Sequence, residues 1–365
     1  TTDGERLRII YVTLTRAKKG LYITNSLSDF NDKSPERLEY FKEYVDGTEV
    51  ISPFLPSGKV DLMYDMVAPG VLEDNLKSWI MPYLAKSPDM RAIYAERVKN
   101  LMMSASALTS FIDVVYAGPV EFFKSYILNV PRELETEELA FGDLVHKVFE
   151  AVTKNGLSDD EAIQFFLDEL EKKDLETSVA KKLRERGPND LAVSLEAFRN
   201  ILQNGKAEVD FWADHIVVNG VPVTGKIDHI VIDDANKTIE VYDFKTGGYH
   251  KEKWASHATL FKYMLQLEFY KMLLNNSREY GKYKVEKAHI LFVTPDKDGE
   301  VYDKEYIYND AEYDDFLSLL AAVYNKVSSL EFMDDAEIFV EPDNTKKLKD
   351  IKDFITLLLD KSTTM

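Results

Sequence analysis

A chain of 365 residues, 45% hydrophobic and 12% aromatic, carries enough apolar material for one large core or for two domains. It has no cysteine, which excludes disulfides, cysteine nucleophiles, thiolate zinc sites and cysteine-ligated iron–sulfur clusters, and which fits a reducing cytoplasm, the expected location. A net charge of −19 argues against autonomous tight binding to nucleic acid, where affinity rests on lysine and arginine contacts to phosphate, and the lack of a long apolar run or a signal-type N-terminus leaves no membrane partner to expect.

In chain order, residues 5–24 open with an apolar run, then Thr15-Arg16-Ala17-Lys18-Lys19-Gly20, then a strand-like Leu21-Tyr22-Ile23-Thr24. The basic cluster Arg16, Lys18 and Lys19 is either a solvated loop or a phosphate contact. Residues 25–100 are broken by Pro35, Pro53, Pro56, Gly58, Pro69 and Gly70 into short pieces, helical over 72–100, and read as a linking region. From Ser104, Leu108, Phe111 and Ile112 fall at helical spacing, followed by Gly118-Pro119 and Phe122-Phe123. Residues 140–153 predict an amphipathic helix with Phe141, Leu144, Val145, Val148, Phe149 and Val152 as its apolar stripe. Further helices are expected at 159–173, 175–186 and 189–204, and a strand at 207–217. A hairpin follows, with arms at 225–232 and 239–244. Beyond it come a helix at 255–275, strands at 287–294 and 301–308, and helices at 312–329 and 345–360. Helices alternating with hairpin-connected strands predict an α/β fold, a mixed sheet flanked by helices.

The hairpin, GKIDHIVIDDANKTIEVYDFKTG over Gly225–Gly247, carries the chemistry. A symmetric turn at Asp233–Thr238 sets Ile232 against Ile239, Ile230 against Val241 and Asp228 against Asp243, all on one side of the sheet. Lys245 follows on that side, opposite Lys226. Facing residues have Cβ atoms only about 4.5–5.5 Å apart, so two carboxylates there repel unless a cation lies between them. Mg²⁺ or Mn²⁺ suits such oxygen donors, and a lysine beside the ion can steady an attacking water or charge on phosphorus. The bland alternative is a solvated ladder of Asp and Lys on a strand face.

Other residues could complete this site. His146 lies off the apolar stripe of its helix, as a surface histidine or a further metal ligand. Gln266 and Tyr270 share a helical face, with Lys262 one turn earlier; the row is a phosphate-backbone contact or an ordinary polar face. Glu208, at the start of the strand before the hairpin, either approaches the metal or is an edge residue.

Across residues 104–330 these pieces resemble the RecB-type branch of the PD-(D/E)XK nuclease superfamily: GDLVHKVFE with His146, GKIDHIVID with Asp228, VYDFKTG with Asp243 and Lys245, and QLEFY with Gln266 and Tyr270, in the family order. The resemblance implies a restriction-endonuclease-like core with extra helices. It also implies Mg²⁺ held by His146, Asp228, Asp243 and the backbone carbonyl of Phe244, with Lys245 assisting water and Gln266 and Tyr270 supporting the site and the DNA. Residues 11–24, YVTLTRAKKGLYIT, are similar to the last ATPase motif of UvrD-like superfamily-one helicases, in which Arg16 would reach the γ-phosphate of ATP. No P-loop accompanies it, so no ATP hydrolysis is expected from this chain alone.

The expected organisation is a helicase remnant at 1–24, the linking region at 25–100, a nuclease domain at 101–335 and a C-terminal helix at 336–365. The expected function is a Mg²⁺-dependent DNA nuclease domain of a helicase–nuclease acting in DNA end processing, recombination and repair. Its expected partners are DNA, the rest of the helicase polypeptide and a second helicase–nuclease subunit. Where relatives carry Cys-Pro for an iron–sulfur cluster, this chain has Gly118-Pro119, so no cluster is expected. Two alternatives remain: a catalytically silent nuclease fold used for DNA binding or subunit docking, and a stand-alone nuclease with a coincidental N-terminal match.

Overall fold

The computed structural model describes residues 90–115, 118–130, 136–247, 249, 257–339 and 346–362, all within the compact unit Pro88–Met365. The expectations for 1–24, Arg16 included, and for 25–89 lie outside the described residues.

The order is α1 (Met90–Lys99), α2 (Ala105–Ile112), α3 (Gly118–Phe122, running into a π-turn), α4 (Glu137–Asn155), α5 (Asp159–Glu171), α6 (Thr177–Gln203), β1 (Gly205–Asp210), β2 (Val217–Val218), β3 (Val221–Pro222), β4 (Lys226–Asp233), β5 (Thr238–Lys245), α7 (Ala258–Asn276), β6 (Lys284–Phe292), β7 (Tyr302–Ile307), α8 (Asp310–Ser329) and α9 (Leu348–Ser362). Five strands form one sheet in the order β1-β4-β5-β6-β7. Every pair is antiparallel except β5–β6, which is parallel. A parallel neighbour needs a crossover, and α7 supplies it. The sheet is therefore mixed, as expected.

Side chains alternate across the strands, and the sheet separates two cores. Ile230, Ile239, Val241 and Ile290 face α2, α7, α8 and α9, through Phe111, Phe269, Phe316 and Phe354. Tyr242, Phe244 and Leu291 face α4, α5 and α6, through Phe149, Phe166 and Leu195. The apolar stripe read on α4 is buried throughout. The Thr136 hydroxyl caps α4 at its start, and Gly156, at φ 69°, ends it in the left-handed conformation. α9, assigned in sequence to a separate C-terminal stretch, buries Ile351, Phe354 and Leu358 in the first core.

Two local expectations are corrected. The helices at 175–186 and 189–204 are one helix, α6, with Pro188 inside it. Proline removes an amide donor and ordinarily breaks a helix. Here both halves bury leucines (Leu183, Leu191, Leu195) against one core, and a Cβ on Gly187 would lie 2.4 Å from the Phe166 ring, so glycine admits that close approach. The strand expected at 207–217 stops at Asp210, because the Phe211 N–H donates to the Gly225 carbonyl and a 3₁₀ turn follows at Trp212–Asp214. Beyond it, β2 and β3 form a small hairpin around Asn219 (φ 51°) and Gly220 (φ 82°), the two left-handed residues a two-residue turn demands. No described helix is long and apolar enough to cross a membrane.

The start of α5 offers a simple stability test. Ser158 and Glu161 form a reciprocal capping box. Ser158→Ala is expected to destabilise the fold by about 1 kcal/mol in urea titrations, the usual cost of losing such a cap.

Candidate active site

The β4–β5 ladder runs from Asp233↔Thr238 through Ile232↔Ile239 and Ile230↔Val241 to His229↔Tyr242, the register read from the sequence. The turn is held by the Asp233 carboxylate, which accepts the amides of Ala235 and Asn236. At Asp228 the backbone pairing with β5 has ended, and the Asp228 carboxylate accepts the Phe244 N–H at 2.9 Å instead. β5 itself stays paired to β6 as far as Lys245↔Phe292. Asp228, Asp243 and Lys245 thus stand at one end of the sheet, where β4 and β5 part.

Two more elements reach this end. α4 brings His146, whose Nδ1 lies 3.6 Å from Asp228 Oδ1 and 3.7 Å from Glu208 Oε1. β1 brings Glu208 at φ 54°, a conformation that side-chain-bearing residues rarely adopt. Its neighbours pair regularly with β4, Ala207 with His229 and Val209 with Ile227, while Glu208 leaves the ladder. Such strain persists only where the surroundings hold it, and it clusters at functional sites. His146, Glu208 and Asp228 each offer a ligand atom, and these atoms lie within 4.8 Å of one another. Glu208 thus lies with His146 and Asp228 at this end of the sheet.

Asp243 is buried and tied on both sides. Tyr270 donates its hydroxyl to Oδ1 at 3.2 Å, and the Lys245 ammonium lies 2.7 Å from Oδ2. Lys245 also donates to Gln266 Oε1 at 3.0 Å, and Gln266 Nε2 donates to the Tyr270 oxygen at 2.6 Å. Lysine can only donate, so the direction of the whole ring follows from it: Gln266 must accept from Lys245 and donate to Tyr270, which must donate to Asp243. Phe244, between the two key residues of β5, packs its ring on Phe149 at 4.7 Å and lies 5.9 Å from the His146 ring.

The electrostatics are those of a buried acidic pocket. Burial pushes Asp228 up to about 7, and nearby Asp243 pushes the same way against the pull of His146. Burial alone would lower His146, but Asp228 and Glu208 outweigh it and raise it to about 9. Burial likewise opposes the charge on Lys245, and Asp243 and Asp228 overcome it, so its ammonium is held above the usual lysine range. Asp243 Oδ2, buried, faces Lys245 but has no hydrogen bond of acceptable geometry. One imidazole and the converging carboxylate oxygens of Glu208 and Asp228, with Asp243 outside that cluster, fit a hard divalent ion.

The other two lysines expected to support the site each meet a carboxylate: the Lys262 ammonium pairs with Asp113, just past α2, and Lys226 pairs with Glu208 at 2.9 Å. One neighbour was missed in sequence. Tyr263 lies three residues before Gln266 and seven before Tyr270, on the same helical face, with its ring centroid 4.7 Å from Lys245 Nζ. The spacing that singled out Gln266 and Tyr270 included it.

No curated protein sequence matches the chain. Among solved structures, a crystal structure named "Putative exonuclease" from Eubacterium rectale is similar, with a TM-score of 0.42 and 15% identity over 71% of this chain and 88% of that one. The family model for the PD-(D/E)XK nuclease superfamily matches residues 103–345. That span holds every strand of the mixed sheet and both helices, α4 and α7, that reach its open end, the restriction-endonuclease-like arrangement. On that match, the chain belongs to the PD-(D/E)XK nuclease superfamily.

Proposed function

We propose that this domain is a Mg²⁺-dependent (or Mn²⁺-dependent) deoxyribonuclease of the RecB type, and that it works as the nuclease part of a helicase–nuclease in DNA end processing, recombination and repair. The observation that carries the hydrolytic reading is the convergence of His146, Glu208 and Asp228 beside the Asp243–Lys245 pair. The helicase context rests on the similarity of residues 11–24 to an ATPase motif, and on that alone.

The ion would be held by Asp228, Asp243 and His146, with Glu208 as a fourth side chain and the Phe244 carbonyl completing the set. Bound there, it supplies Lewis-acid stabilisation of charge on a phosphate and makes water more acidic. Lys245 keeps its proton, since its neighbours hold its pKa up, and so acts as a cationic donor rather than a base. Its donors orient the attacking water and meet charge developing on phosphate oxygens. Asp243 aims that ammonium, and Tyr270 and Gln266 aim Asp243. Lys226 offsets the charge of Glu208 at the rim. The chain's net charge of −19 makes the helicase polypeptide, and a partner subunit, the natural source of grip on DNA.

The test is cleavage of end-labelled DNA under a Mg²⁺ titration. Activity is expected to need the metal and to vanish in EDTA. Glu208→Gln should raise the Mg²⁺ concentration for half-maximal rate by about 10–100-fold, the usual scale for a weakened metal shell. Cleavage that proceeds unchanged in EDTA would remove the metal from the account.

A further inference from the structure

The Lys245 ammonium is a flexible point charge with three donors and no acceptor. Asp243 Oδ2 at 2.7 Å and Gln266 Oε1 at 3.0 Å occupy two of its sides. On another lies the face of Tyr263, with its centroid 4.7 Å from Nζ. The side chain is only 17% exposed, so bulk water cannot stand in for that ring. Burial, with Asp243 adding to it and Lys245 opposing, raises the Tyr263 phenol above its usual range, so the ring presents a neutral π-face to the cation. α7 sets Tyr263, Gln266 and Tyr270 on successive turns of one face, and each of the three touches Lys245, Asp243 or their shared hydrogen-bond ring.

We propose that Tyr263 is a positioning residue for the reaction: its aromatic face holds the Lys245 ammonium in the orientation from which it serves the scissile phosphate. The inference rests on the nuclease reading above and adds a residue to it. A cation over an aromatic face in a partly dry site is attracted enough to matter for rate, and an aliphatic side chain of similar bulk lacks that attraction. The role belongs to the ring, so phenylalanine retains it and leucine does not.

The experiment compares Tyr263→Leu with Tyr263→Phe in two measurements. In Mg²⁺-dependent cleavage, Tyr263→Leu is expected to lower kcat about tenfold with KM for DNA and the melting temperature unchanged, while Tyr263→Phe recovers the rate to within about twofold of the parent. In EDTA and without DNA, reductive methylation of Lys245 followed by peptide mass spectrometry is expected to be slow in the parent and in Tyr263→Phe, and faster in Tyr263→Leu. Parent-like kcat and methylation in Tyr263→Leu overturn the proposal, as does a Tyr263→Phe variant as impaired as the leucine. A parent that cuts no DNA defeats the nuclease reading, and the methylation rates still decide whether the ring holds the ammonium.

Discussion

Asp228→Asn is expected to cut Mg²⁺-dependent DNA cleavage by about 10³-fold, the upper range for removing one electrostatic element of a preorganised site. The substitution is chosen because it changes charge and little else. An asparagine oxygen can still accept the Phe244 N–H that Asp228 now takes at 2.9 Å, so the end of β4 keeps its tie to β5. The Asp243–Lys245–Gln266–Tyr270 ring does not include residue 228 and persists. What disappears is the negative charge closest to His146, and with it the main support for the raised imidazole. Burial disfavours a carboxylate here, so the neutral amide should leave the melting temperature unchanged or higher, as happens when a functional charge is removed from an apolar setting. Steady-state cleavage and thermal melting, measured together, decide the matter. A variant that keeps more than about a tenth of the parent rate while melting normally would remove Asp228 from the centre.

The largest effect on stability is expected at Gly205. A Cβ there would lie 2.0 Å from His229 Nε2 and 2.4 Å from the Ile230 carbonyl oxygen. The imidazole is fully buried and bonded to the Ile201 carbonyl, and Ile230 belongs to the β1–β4 ladder, so neither can step aside cheaply. Gly205→Ala should cost about 3 kcal/mol, the upper end of ordinary overpacking, because backbone rather than a flexible tip must move. Gly247→Ala, where nothing among the described residues lies within 4 Å, is the control and should fall within about 0.5 kcal/mol of the parent. Urea midpoints of the two variants make the comparison. Equal midpoints would show that β1 does not sit against β4 as described. Glu208 is three residues along β1, so a displaced strand should also weaken Mg²⁺ dependence.

Much of this centre was legible because its parts are close in sequence. The β4–β5 register follows from a polar turn flanked by apolar arms, and it places Asp228, Asp243 and Lys245 without knowledge of anything distant. The face shared by Gln266 and Tyr270 follows from helical spacing. Glu208 was harder, because its approach depends on the nonlocal pairing of β1 with β4 and on a left-handed φ that no side-chain pattern announces. The Lys262–Asp113 pair joins residues far apart in the chain, so helical spacing alone did not reveal it. The helices expected at 175–186 and 189–204 join across Pro188, where tertiary packing along α6 outweighs the residue's local preference. The Asn219-Gly220 turn, by contrast, carried an ordinary hairpin signal in the stretch between the expected strand and the hairpin arms, which was left unassigned.

The parallel crossover has a consequence for how the protein assembles. One uninterrupted stretch, Asp228 to Tyr270, contributes both aspartates, the lysine and the hydrogen-bond ring, while His146 and Glu208 arrive from earlier in the chain. Contacts of short sequence separation close with little entropy loss and tend to form first on the route to the native state. The ammonium–carboxylate ring is thus suited to early assembly, and docking of α4 onto that nascent unit brings in the histidine and finishes the pocket. On that route, a chain halted before α4 docks would hold its lysine in place while the His146 imidazole is still absent from the pocket.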